Sequence, residues 1–63
     1  MKRRELLKVL RAEAQRVGLR LEIREGGSHT KVSIGERSSV VPRHSEINEM
    51  TAKAILKQMG VRR

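Results

Sequence analysis

The chain has 63 residues, room for one domain over 1–63, and sets fifteen Lys and Arg against seven acidic residues for a net charge of +8. A chain this short buries only about 60% of the surface it exposes when unfolded, and with no cysteine it has neither a disulfide nor a thiolate metal site to reinforce its core. Phe, Trp and Tyr are absent, which argues against modules that stack single-stranded bases on aromatic rings, and no apolar run approaches the roughly 20 residues of a membrane span.

Residues 3 to 17 have the period of an amphipathic helix. Leu6, Leu7, Leu10, Ala14 and Val17 share one stripe, and Arg4, Lys8, Arg11 and Gln15 lie opposite as a solvated face. Gly18 stands where a helix-ending glycine belongs. The start, MKRRELLKVL, lacks the long apolar region and small-residue cleavage site of a signal peptide, so the cytoplasm is expected. LRLEIRE then alternates strictly, with Leu19, Leu21 and Ile23 on one face. After a GGS turn, HTKVSI alternates again: Thr30, Val32 and Ile34 point inward, and His29, Lys31 and Ser33 outward. GER makes a second turn, and RSSVV is a third strand closed by Pro42.

The last element is NEMTAKAILKQMG. Asn48 suits the N-cap and Glu49 the positive end of the helix dipole, while Ala52, Ile55, Leu56 and Met59 form the buried stripe. Lys53 and Lys57 share the opposite face, Met50 points outward, and Gly60 closes the helix. The order α-β-β-β-α gives an α+β fold, a three-stranded antiparallel sheet with both helices on one face, because that arrangement buries every apolar stripe at once. It is also the order of the double-stranded-RNA-binding domain, and the resemblance implies that the first helix, the first hairpin turn and the last helix face RNA.

A polyanion is the expected partner of so basic a chain, with nucleic acid first. Seven Glu scattered along the chain, with no Asp, do not form the carboxylate cluster of a metal nuclease, so neither metal nor cofactor is expected. Only two histidines exist. His29 opens a strand after a glycine turn, on the face that carries Lys31, with Arg24 near by. A neutral imidazole there can accept the proton of a ribose 2′-hydroxyl, and the cations can stabilise the charge that builds on phosphorus. From the residues alone a surface histidine after a turn is the favoured reading, since one histidine supplies a base but no evident general acid. His44, just after Pro42 and Arg43, reads as a residue of the connection to the last helix.

Three motifs taken together are more specific. Gly27-Ser28-His29 at the start of a strand, Pro42-Arg43-His44 after the third strand, and Ile55-Leu56-Lys57-Gln58-Met59-Gly60 at the end resemble, in order and spacing, the HicA family of toxins from bacterial toxin–antitoxin pairs. That resemblance implies a metal-independent endoribonuclease that cleaves mRNA, with His29 as its catalytic histidine, supported by Gly27, Ser28 and Arg24. It also implies a HicB-type antitoxin as partner in a hetero-oligomer. Lys31, Arg43, Lys53 and Lys57 are the expected RNA contacts. The alternative is a non-catalytic module that binds double-stranded RNA and has no need of an imidazole. A third class, a protein-interaction or membrane-surface element, fits poorly with alternating strands and no aromatic anchors.

Overall fold

Helix α1 spans Arg3–Arg16 in the computed structural model, which describes residues 1–61. Strands β1 (Leu21–Gly26), β2 (His29–Ile34) and β3 (Arg37–Pro42) follow, then helix α2 (Glu49–Gln58). The expected order is therefore the observed one. The two residues beyond position 61 of the expected 1–63 domain lie outside the described residues.

The strands form one antiparallel sheet in the order β1-β2-β3. Two-residue turns join them, Gly27-Ser28 between Gly26 and His29 and Gly35-Glu36 between Ile34 and Arg37. Each turn begins with a glycine at positive φ, +57° at Gly27 and +61° at Gly35, and no other residue type adopts positive φ among the described residues. Glycine at the first position matches the hairpin turn whose twist suits right-twisted strands. So short a loop pins the register: Arg24 pairs with Lys31, and His29 sits between Gly26 and Pro42.

Directly paired residues share a face, so Thr30, Val32 and Ile34 place Val41 and Ser39 of β3 on the inner side of the sheet with them. Both helices cover that side. Leu6, Leu7, Leu10 and Ala14 of α1 and Ala52, Ile55 and Leu56 of α2 join Val32, Ile34, Val41, Ile47 and Met59 in one buried cluster. Among the described residues, no helix lies on the opposite side of the sheet. Asn48 caps α2 as its residue type suggests, its side-chain oxygen accepting from the Met50 amide at 2.8 Å.

The apolar alternation overstates burial at one edge. Val17, Leu19 and Ile23 are 36%, 51% and 38% exposed rather than inward and covered. Ile23 does lie on the inner face, paired with Val32, but β1 is an edge strand at the margin of the helical layer. Conversely, Glu13 is buried on the apolar stripe of α1 because Arg16, one turn on, holds its carboxylate with two hydrogen bonds of 2.9 and 2.7 Å.

Candidate functional site

The uncovered face of the sheet carries His29, Lys31 and Arg24, three of the residues expected at the site. His29 and Lys31 are two apart on β2 and so project from the same face, about 6.6 Å apart along the strand. Both are exposed. Arg24 of β1 and Val40 of β3 are the cross-strand partners of Lys31 and complete a row beside the imidazole. The neighbours of His29 in its own row are Gly26 and Pro42. A side chain built on Gly26 or Gly27 would meet nothing within 4 Å, so the approach to the ring is open. All of these except Pro42, with Ser28 and Glu25, line a shallow depression of about 540 Å³. The Ser28 hydroxyl lies 3.3 Å from Nδ1 of His29, leaving Nε2 free to face a ligand.

A polar network lies immediately under this depression. Thr30 is fully buried and donates its hydroxyl to Glu25 at 2.7 Å. Arg3 of α1 donates to Thr30 Oγ1 at 2.9 Å and to the Pro42 carbonyl at 3.2 Å. Arg43 donates to Glu25 at 3.0 Å. The network ties α1, β1, β2 and the end of β3 together around the strand that carries His29. The Thr30 hydrogen bond, followed by the charges of Arg43 and Arg3, holds the Glu25 carboxyl below the usual range. The Arg16 hydrogen bond does the same for Glu13.

Both carboxyls are depressed in the folded chain. Their contribution to stability is therefore complete above the ordinary glutamate value, about 4.3, and is lost as pH falls through the lowered folded values. Thermal melting should hold steady from neutral pH down to about 5 and fall below about 4. Glu25→Gln and Glu13→Gln variants should show a smaller acid-dependent fall, and an acid limb unchanged in both would remove these carboxylates from the account.

The structure brings Arg24, Gly27, Ser28, His29 and Lys31 together. Arg43 stands at the edge, one residue beyond the cross-strand partner of His29. Lys53 and Lys57 are elsewhere: they line a separate, more apolar depression with Met1, Leu56 and Val61, in the helical layer. His44 is exposed in the connection between β3 and α2, and its side chain makes no hydrogen bond among the described residues. The roles of Arg3 and Glu25 left no mark in the sequence pattern; the single hint was Thr30, a polar residue at an inward strand position. Among the described residues, no three His, Cys, Asp or Glu side chains come together as a metal-binding group.

Fold and site thus define a small basic α+β domain with an open sheet face on which an imidazole stands among cations. The chain belongs to the HicA family, toxins of bacterial toxin–antitoxin systems, whose family model matches residues 3–61. It is similar to the probable mRNA interferase HicA of Escherichia coli O157:H7, with 44% identity over 43 residues that cover 65% of this chain and 74% of the relative. The probable mRNA interferase toxin HicA of Escherichia coli strain K12 matches to the same extent. No solved structure matches the chain at comparable significance.

Proposed function

We propose that the protein is the toxin of a toxin–antitoxin pair and acts as an endoribonuclease on mRNA, with His29 as general base and without a metal ion. The observation that carries this is the exposed His29 on an unobstructed strand start, flanked on the same face by Lys31 and Arg24. His29 takes the proton of a 2′-hydroxyl, and the 2′-oxygen bonds to the adjacent phosphorus. Lys31 and Arg24 hold the charge that accumulates on the non-bridging oxygens. The bond from phosphorus to the 5′-oxygen breaks, and that oxygen takes a proton from solvent. The products are a 2′,3′-cyclic phosphate and a 5′-hydroxyl. The names of the two Escherichia coli relatives support the same substrate class.

The purified protein incubated with mRNA in EDTA should cut it. Tight binding without cleavage, with or without added divalent ions, would instead establish the non-catalytic RNA-binding module. A HicB-type antitoxin, acidic where it meets this basic face, is the natural inhibitor, and adding it should stop cleavage in the same assay. The cytoplasm, where mRNA is, is the site of action; no helix among the described residues is long and apolar enough to cross a membrane.

Arg43 is a phosphate contact at the rim of the site. Lys53 and Lys57 serve as outlying ones, since they line a different depression from His29. The affinity for RNA should fall steeply with salt, with about 0.7 in log–log slope for each phosphate contacted on a single strand. Lys53→Gln and Lys57→Gln should each reduce the slope by about that amount. Slopes equal to wild type in both variants would take α2 out of the RNA path.

A further inference from the structure

A second cationic depression, of about 440 Å³, opens at the start of α1 and is lined by Lys2, Arg3, Arg4, Arg43 and Ser45. We propose that it is a phosphate-binding subsite for the RNA strand beside the cut, a role that rests on RNA being the substrate of His29.

The lining favours phosphate over other ligands. It is four cations and one hydroxyl, with no apolar side chain to receive a base or a peptide residue. The negative charge beside it is smaller than the positive. Glu25 is shared between Arg3, at 3.8 Å, and Arg43, at 3.0 Å. Glu46 stands 3.7 Å from Lys2, and Arg4 has no ion-pair partner among the described residues. Two carboxylates therefore face four cations, and the surplus is open to an anion.

The depression is also held in shape. Arg3 is fixed from below by its hydrogen bonds to buried Thr30 and to the Pro42 carbonyl, so one guanidinium stands in place before any ligand arrives. Those bonds occupy its Nε and Nη2 and leave the Nη1 donors to meet a phosphate oxygen as a charge-assisted contact. Ordering a rigid cation costs less on binding than ordering a free one.

Its position joins it to the candidate active site. Pro42 is the cross-strand partner of His29, and Arg43 follows it directly. The backbones of His29 and Arg43 are therefore about one strand spacing of 4.8 Å and one residue of 3.3 Å apart. A strand with one phosphate at His29 can reach the depression with a neighbouring one. The subsite would then fix the register of the RNA over the imidazole as well as add affinity.

The test reads binding rather than cleavage, using a labelled 2′-O-methyl RNA that cannot form the attacking alkoxide. Lys2→Gln/Arg4→Gln should weaken binding and reduce the salt slope by about 0.7 to 1.4, the change for one or two phosphates on a single strand. Lys8→Gln/Arg11→Gln removes the same charge from the solvated face of α1 and should leave the slope at the wild-type value. Arg4→Gln alone, at a side chain that holds nothing in the fold, guards against a folding defect in the double variant. A Lys2→Gln/Arg4→Gln slope equal to wild type, or no different from that of the Lys8/Arg11 control, overturns the subsite. So does intact RNA binding with loss of antitoxin inhibition, which would reassign the depression to a protein partner. If wild type itself fails to bind RNA, the substrate assignment fails first, and the two failures are told apart.

Discussion

Alanine at position 29 should lower RNA cleavage by about 10²–10⁴, the range for loss of a general base, and abolish toxicity. The same variant should melt close to wild type and keep most of its RNA affinity. The separation follows from where the side chain stands. His29 is exposed, and among the described residues its side chain has one hydrogen-bond partner, the hydroxyl of Ser28. The strand pairing that fixes the position is made by backbone groups, opposite Gly26 and Pro42, and alanine keeps it. The proposed phosphate contacts are Lys31, Arg24 and the rim cations, which the substitution leaves in place. A variant that cuts RNA near the wild-type rate would remove the imidazole from the chemistry. A variant that fails to fold would show instead that His29 has a structural part that its exposure does not suggest.

The second large effect is on the fold. Leu10→Ala should lower stability by about 2–5 kcal/mol, through lost transfer energy and the cavity left behind. Leu10 is fully buried in the cluster that joins both helices to the sheet. A chain of this length has a total stability of only about 3–9 kcal/mol. The substitution therefore removes a large fraction of it, and a melting temperature lower by at least about 10 °C is expected. Met50→Ala is the contrast: Met50 is 81% exposed, and a surface change of this kind stays within about 0.5 kcal/mol. Equal effects at the two positions would contradict the burial that defines the core.

Periodicity made most of this architecture readable in advance. The stripes of α1 and α2 and the alternation of β2 are strict, and the hairpins carry glycine where the turn geometry calls for it. What periodicity cannot show is the extent of a layer. Leu19 and Ile23 alternate as core residues do, yet two helices do not reach across the edge strand to cover them. Nor can it show burial outside regular elements: Ile47 is buried in the connection before α2, where no repeat marks it. Glu13 was hidden by its charge, because a carboxylate reads as a solvent-facing group until its partner one turn on is seen to hold it.

The candidate site divides in the same way. His29 and Lys31 were visible because a strand places alternate residues on one face, and Arg24 because the short turn sets the register opposite. The network of Arg3, Glu25, Thr30 and Arg43 draws on separate elements brought together only by the fold. Lys53 and Lys57 show the reverse: a plausible pair on a helix face, which the fold sets in a different depression from the histidine.

In the proposed mechanism His29 activates a ribose 2′-hydroxyl against the adjacent phosphorus. The ends of the RNA fragments test it most directly. RNA cut by the purified protein in EDTA should carry 2′,3′-cyclic phosphates and 5′-hydroxyls, and replacing the nucleotide 5′ to the cut with its 2′-deoxy analogue should block that cut. Fragments ending in 3′-hydroxyls and 5′-phosphates, or undiminished cutting at the 2′-deoxy position, would mean that water and not the 2′-oxygen attacks, and would contradict the mechanism.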